Sequence, residues 1–328
     1  MKARIKGTAS YLPKKVLKND DLEKMVETSD EWIVSRTGMK ERRIAAKDEY
    51  ASDMGAIAAK KVLKASGVSP DKVEAILVGT MTPDYPTPST AAIIQKKISA
   101  SNAFAMDFHA ACSGYLYGLS MAKAYIESGM YRNILLVVTE KLSSIINYKD
   151  RNTCILFGDG AAASLIVDKG EGLEISNIHL GADGEQAGLL QVSAGGCCHP
   201  ATEETVLNKK HCMEMNGKEL FKHAVRRMEG AVKSCLDSSS IREEELSWLI
   251  PHQANSRIID GLAKRFSLPL ERVYRVIHKY GNTSASSVPI ALYDLMNEKA
   301  VKEGENLMLV AFGAGLTWGA SVLKKVLK

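Results

Sequence analysis

The chain repeats its own order of strands. Three apolar stretches in its first part, VEAILVGT (73–80), RNILLVVTE (132–140) and AAASLIVD (161–168), recur in the second part as LSWLIPHQ (246–253), ENLMLVAFG (305–313) and GASVLKKV (319–326). The spacing agrees: Gly79 to Asn133 is 54 residues, and Pro251 to Asn306 is 55. The openings RIKGTAS (4–10) and NIHLGAD (177–183) match too, so an offset of about 173 residues relates the two parts. One matched pair of strands arises easily by chance, four in order far less so. Self-similarity on this scale predicts two like-folded units packed together. Strands that read as continuous apolar runs, alternating with helical stretches, predict sheets covered by helices on both faces. The expectation is an α/β fold of two similar halves, 1–172 and 173–328, each a mixed sheet with helices.

The repeat also predicts what lies at the centre. A helix starting near Cys112 has its counterpart in YGNTSASSVPIALYDLM (280–296). Both begin with small residues and continue at apolar helical spacing, through Tyr115, Leu116, Leu119, Ala122 and Ile126 in one and Val288, Ala291, Leu292 and Leu295 in the other. In a pseudo-twofold pair such helices meet back to back, and small residues at their starts let the backbones approach. Helices this central are apolar on most sides.

Cys112 then sits at a helix start, within HAACSG. A thiol there feels the positive end of the helix dipole and free backbone N–H groups. Both favour thiolate and lower its pKa, and small neighbours leave room for a group on the sulfur. Position alone supports a buried structural cysteine equally well. His252, in IPHQAN, follows a buried-strand pattern, and in open α/β sheets such strand ends face the ligand crevice. Asn282 opens the counterpart helix. A Cys, a His and an Asn at element ends drawn to one centre form a nucleophilic constellation. The glycine turn FGAGLTWG (312–319) can complete it with backbone donors for an oxyanion.

Composition excludes other classes. Hydrophobic residues make up 45% and charged residues 25%, as in soluble globular proteins. No run of 18 apolar residues suggests a membrane span, and MKARIKGTASYLP has no signal-peptide core, so a cytoplasmic protein is expected. The net charge of +5 is spread along the chain and does not point to nucleic acid. Six cysteines without CxxC spacing read as free thiols. CCHP (197–200) and KHC (210–212) bring Cys–His pairs near one another but lack zinc-site spacing, so they read as a surface loop and no metal is expected.

Cys112 in AACSGY, His252 in PHQAN, Asn282 in YGNTSAS and the closing AFGAGLTWG together resemble the thiolase superfamily. More narrowly they resemble β-ketoacyl-acyl-carrier-protein synthase III, the initiating condensing enzyme of bacterial fatty-acid synthesis. The similarity runs from GTASYLP (7–13) to the last strand and includes SDEWIVSRTGMKERR (29–43) and LFGDGAAA (156–163). The resemblance implies a five-layer αβαβα thiolase-like fold. It implies that Cys112 takes an acyl group from a coenzyme A thioester, and that malonyl-acyl-carrier protein then loses CO2. His252 and Asn282 would hydrogen-bond the resulting enolate oxygen, and the N–H groups of Cys112 and Ala314 would hold the second oxyanion. The family often has Gly where Ala314 stands; a backbone donor survives that change.

The same resemblance places coenzyme A between Trp32 and Arg151, with Thr28, Arg36, Met215, Gly217 and Asn255 lining its pocket and Phe221 packing near the nucleophile. From the residues alone, Trp32 and Arg36 read as a solvated helix face and Phe221 as a core residue. Lys222, Arg257, Lys264 and Arg265 match a basic patch for the acidic acyl-carrier protein, and spacings of seven and eight put the last three on one helical face. Thr87, in YPTPSTAA (85–92), matches the gate of the partner subunit's acyl pocket in a homodimer; its small side chain implies primers longer than acetyl. No cofactor is implied beyond the two thioester substrates. A degradative thiolase would need a second cysteine near the glycine turn, and AFGAGLTWG has none. A silent partner subunit would lack Cys112. Relatives from polyketide or quinolone pathways, and acyltransferases on this fold, share the three residues and stay open.

Overall fold

The computed structural model describes residues 1–327, and nine of its strands form one sheet. In chain order they are β1 (Arg4–Tyr11), β2 (Ala75–Gly79), β3 (Phe104–Phe108), β4 (Asn133–Glu140), β5 (Gly160–Val167), β6 (Gly172–Ala182), β7 (Leu246–Pro251), β8 (Asn306–Gly313) and β9 (Thr317–Val326). Their order in space is β7-β8-β9-β6-β1-β5-β4-β2-β3. The seam is narrow: β1 and β6 pair antiparallel through Arg4 with Glu174 and Ile5 with Leu173. Outward from β1 come β5, β4, β2 and β3; outward from β6 come their counterparts β9, β8 and β7. The counterpart of β3 is reduced to a single parallel bridge between Leu249 and Val273. β2 and β4 are parallel, as are their counterparts β7 and β8, and β4 and β5 are antiparallel, as are β8 and β9.

The main helices are α1 (Asp30–Thr37), α2 (Ala51–Ser66), α3 (Thr90–Ile98), α4 (Gly114–Glu127), α5 (Gly217–Ser239), α6 (Ser256–Arg265) and α7 (Ser287–Glu298). Side-chain alternation along the strands sorts the layers. Leu77, Leu136 and Val138 join the cluster around α4 and α7, as do Leu307 and Leu309 from the other half. Their neighbours Ile76, Val78, Leu135 and Val137 face outward against α2 and α3, and Met308 and Val310 face α5 and α6. Strands buried on both faces need apolar residues at every position, which is why β4, β5 and β8 read as unbroken runs. The result is the five-layer αβαβα arrangement of a thiolase-like fold.

The central helices start slightly later than expected. Each is preceded by one tight turn, Ala111–Ser113 before α4 and Ser284–Ser286 before α7, so Cys112 lies in the turn and the α-helix begins at Gly114. Ala111 and Ser284 are related by the repeat offset, and both hold a left-handed backbone, with φ 44° and 51°. Strain of this kind in non-glycine residues gathers at functional sites. The turns touch: a Cβ on Gly114 would lie 3.2 Å from the Ala285 Cβ.

β3 was not expected. Its five residues are all half-buried, so FAMDF carries neither a continuous apolar run nor a wide contrast between faces. Two small hairpins also escape the pattern, Lys15–Lys18 with Glu41–Ile44 and Leu190–Val192 with Met213–Met215. Among the described residues no helix is long and apolar enough to cross a membrane.

Candidate active site

Three chain segments converge between the central turns and the end of β8. Cys112 enters on the turn before α4. A Cβ on Gly313 would lie 2.7 Å from the Cys112 nitrogen, so the end of β8 sits directly on the nucleophile's backbone. The Thr317 hydroxyl donates to the carbonyls of Ala110 and Ala314, at 3.0 Å each, and the Ser113 hydroxyl donates to Thr317 O at 3.1 Å. The glycine turn and the cysteine turn are therefore stitched into one unit, with Ala314 lining the same cavity as Cys112.

His252 follows β7, and its N–H donates to Val310 O at 2.8 Å. Its Nδ1 lies 2.6 Å from Ser287 Oγ, on the first residue of α7. That oxygen also accepts from Gln253 N at 3.4 Å, and we assign its proton to the bond with Nδ1. Nδ1 then accepts, and Nε2 carries the hydrogen. Gln253 locks the segment: its amide donates to Pro251 O at 2.6 Å and its Oε1 accepts from Val276 N and Ile277 N at 3.0 and 3.2 Å. Burial pushes His252 down to about 3, so the ring is neutral and acts as a hydrogen-bond donor.

Asn282 is clamped by its backbone, donating to Leu156 O and accepting from Gly158 N, both at 2.9 Å. Its Oδ1 accepts from Ser284 N at 2.8 Å, which leaves the amide NH2 as the group to offer a ligand. Cys112, His252, Asn282 and Ala314 all line one cavity of about 140 Å³, walled by apolar side chains such as Leu142, Phe157, Leu220 and Ile258.

The thiol departs from expectation. Burial pushes Cys112 up to about 12; a hydrogen bond from Ser284 opposes this and the nearby Glu140 carboxyl adds to it. The reason is physical. The sulfur is sealed from water, which penalises thiolate, and the α-helix begins only two residues later.

The cavity opens through Leu156, Met215, Gly217, Phe221 and Asn255 into an outer cleft of about 890 Å³. Trp32, Arg36, Lys222 and Arg257 line that cleft. Phe221 is 40% exposed there, so it is a rim residue and not a core one. The Arg151 guanidinium lies directly over the Trp32 indole, 4.8 Å from the ring centroid, and Arg36 lies 5.9 Å away. A base held between two such faces needs about 7 Å, twice a contact distance of about 3.5 Å. Arg151 must therefore swing outward before the pair can act as a sandwich. Thr28 lines neither cavity; its hydroxyl is buried and has no hydrogen-bond partner among the described residues.

Lys222 pairs with Glu219 at 2.8 Å and Arg265 with Glu229 at 3.6 Å, so these two charges are partly met within the chain. Arg257 and Lys264 are exposed on α6 and form no salt bridge among the described residues. Thr87 is exposed on the loop before α3 and lines neither cavity of its own chain. Cys197 and Cys198 are exposed, and Cys212 is half-buried. The excursion that carries them is closed by the hairpin delivering Leu190, Met213 and Met215 to the cavity wall. Among the described residues no group of three or more His, Cys, Asp or Glu is placed to hold a metal.

Sequence reasoning missed Ser287, Gln253, Ser284 and Glu140. Glu140 did carry a signal, as a carboxyl ending the otherwise apolar run NILLVVTE. The serines carried none beyond their small size.

Two family models match the chain: 3-oxoacyl-[acyl-carrier-protein] synthase III over residues 106–184, and the C-terminal region of the same family over 236–325. A β-ketoacyl-[acyl-carrier-protein] synthase III of Chlamydia caviae is 55% identical over 326 residues, covering 99% of this chain and 97% of that one. One from Caldanaerobacter subterraneus is 49% identical over 322 residues, covering 98% and 97%. The crystal structure of the 3-oxoacyl-[acyl-carrier-protein] synthase III of Aquifex aeolicus superposes with a TM-score of 0.91 at 44% identity, covering 98% of this chain and 99% of that one. With the fold, the buried Cys-His-Asn centre and these likenesses in agreement, the chain belongs to the β-ketoacyl-[acyl-carrier-protein] synthase III family.

Proposed function

We propose that the protein condenses an acyl-coenzyme A primer with malonyl-acyl-carrier protein, releasing CO2 and coenzyme A and giving 3-oxoacyl-acyl-carrier protein. The observation that carries this reading is the convergence of Cys112, His252 and Asn282 on one apolar cavity with a wider cleft at its mouth. The primer's acyl chain enters the cavity, and its thioester carbonyl meets the N–H groups of Cys112 and Ala314. The Cys112 sulfur bonds to the carbonyl carbon, and coenzyme A leaves as the thiol. The carrier-bound malonyl group then takes its place, with its thioester oxygen facing His252 and Asn282. Loss of CO2 puts negative charge on that oxygen. A histidine held neutral and an amide turned NH2-outward supply two donors to it, worth roughly 3–4 kcal/mol each when preorganised. The enolate carbon attacks the acyl-Cys112 carbonyl, and the cysteine sulfur leaves.

Coenzyme A lies in the outer cleft, with Trp32 and a displaced Arg151 on either side of its base and Arg36, Met215, Gly217, Phe221 and Asn255 around the arm. Lys222, Arg257, Lys264 and Arg265 receive the acidic carrier, a use suited to transient docking by opposite charge. Thr87 gates the partner's pocket in a homodimer, and the chain divides into halves at 172/173. The protein works in the cytoplasm without a cofactor beyond the two thioesters. Intact mass after incubation with acetyl-, hexanoyl- and decanoyl-coenzyme A, then with malonyl-acyl-carrier protein, tests the condensation and the primer length. The expected result is an adduct lost in Cys112→Ala and discharged with CO2 release. No adduct, or one that ignores the malonyl partner, would overturn the reading.

A further inference from the structure

In the proposed acylation two backbone N–H groups, those of Cys112 and Ala314, receive the thioester oxygen, and they come from different halves of the chain. Two donors serve one oxyanion only if the gap between them is fixed, because a donor acts at about 2.7–3.1 Å from where the charge forms. One limit on that gap is contact. Gly313 ends β8 against the nucleophile, and a Cβ there would lie 2.7 Å from Cys112 N and 3.0 Å from Cys112 Cβ. A missing side chain lets the two backbones meet, and their contact stops them coming closer. Contact does not stop them from parting.

The turn that carries Ala314 is held first on its outer side. Asp183 and Leu316 exchange backbone hydrogen bonds, at 2.8 Å in each direction. The Asp183 carboxylate accepts from Arg227 on α5 at 2.7 Å, and that guanidinium lies 4.4 Å from the centre of the Trp318 ring. These bonds tie the turn to β6 and α5, not to the cysteine.

One side chain joins the two donor segments themselves. Thr317 Oγ1 lies 3.0 Å from Ala110 O and 3.0 Å from Ala314 O, and it shares its one proton between them. Ala110 immediately precedes the tight turn that holds Cys112, and Ala314 carries the second donor. Ser113 anchors Thr317 in return, its hydroxyl donating to Thr317 O at 3.1 Å. Without the shared proton, two carbonyl oxygens are left with no donor between them, and the segments part to find other partners. We propose that Thr317 is a positioning residue whose hydroxyl sets the spacing of the Cys112 and Ala314 N–H groups, so that both reach one oxyanion. Gly313 sets the near limit of the gap and the hydroxyl sets the far one.

The inference rests on the reading of these N–H groups as oxyanion donors, and its test compares two reagents that meet the same sulfur. p-Nitrophenyl acetate transfers its acetyl group through a tetrahedral oxyanion and needs no coenzyme A site. Iodoacetamide is attacked at a saturated carbon and forms no oxyanion. Both rates are followed by the mass of the Cys112 peptide, which separates this thiol from the exposed Cys197 and Cys198. Thr317→Val keeps the shape of the side chain and removes the hydroxyl. Acetylation then falls roughly ten- to a hundredfold, less than the roughly hundred- to thousandfold for deleting a donor, because the N–H is displaced and not lost. Alkylation holds. Thr317→Ser keeps the hydroxyl and keeps acetylation. Equal loss of both rates in Thr317→Val overturns the inference, since Thr317 would then only support the fold around the thiol. Equal retention overturns it too, since the gap would then be set elsewhere. An unaltered protein whose Cys112 takes iodoacetamide but no acetyl group also overturns it, because the turn would serve no oxyanion. Should Thr317→Val fail to fold, Thr317→Ala removes the same hydroxyl and is read in the same way. A protein that behaves as described toward the ester but takes no acyl group from any acyl-coenzyme A refutes the proposed reaction and keeps the role of Thr317.

Discussion

Replacing Ser287 by alanine separates the two halves of the proposed reaction. Ser287 touches neither substrate; its oxygen sits 2.6 Å from His252 Nδ1, in a fully enclosed site. The substitution leaves a buried ring nitrogen without a partner, which costs about 1–3 kcal/mol. It also removes the hydrogen bond that keeps the ring's proton on Nε2. If about 1.4–2.8 kcal/mol of that preference is lost at the transition state for decarboxylation, condensation slows about ten- to a hundredfold. Acylation of Cys112 uses neither ring nitrogen and continues. The assay is a pair of rates: adduct formation from acyl-coenzyme A by intact mass, and product release from pre-acylated protein given malonyl-acyl-carrier protein. The expected pattern is an unchanged first rate and a reduced second one. Equal loss of both would mean that Ser287 only supports the fold, and equal retention would mean that the tautomer is set by something else.

Because burial lowers His252 from 6.5 to about 3, the unfolded chain binds its proton first as pH falls. Stability is therefore lost between those values, at up to about 1.4 kcal/mol per pH unit from this group, and His252→Gln should flatten the acid limb of a denaturant-midpoint profile. Gly114→Val places a side chain against Ala285, already 3.2 Å from a bare Cβ; a loss of about 1–3 kcal/mol is expected in denaturant unfolding, together with slower Cys112 alkylation. Lys264→Glu reverses an exposed charge that forms no salt bridge among the described residues; the Michaelis constant for the carrier substrate should rise, most at low salt, while the rate of acylation from coenzyme A holds.

Much of the architecture was legible in one dimension. Strands such as β4 and β8 are enclosed by helices, so Ile134–Val138 and Leu307–Phe312 are apolar throughout and the run announces itself. The repeat offset even pairs Ala111 with Ser284, the two residues with matching left-handed turns. Cys112, His252 and Asn282 could be singled out because each stands where a patterned element begins or ends. β3 could not, because an edge strand of five half-buried residues leaves no contrast to read.

What the chain order could not convey is how strongly each group is desolvated and which distant group answers it. Ser284 meets Glu140 across 144 positions, and His252 meets Ser287 across 35. Arg151 covers Trp32 from another element altogether. The thiol looked like one eased toward thiolate by a helix end. Enclosure pushes the other way, because the free energy of a charge depends on how much water the folded walls remove, and those walls come from both halves of the chain. Residue types and periodicity thus set the layers and brought three reactive groups to their common centre; burial and long-range hydrogen bonds, which exist only once the layers close, decided their protonation and their partners.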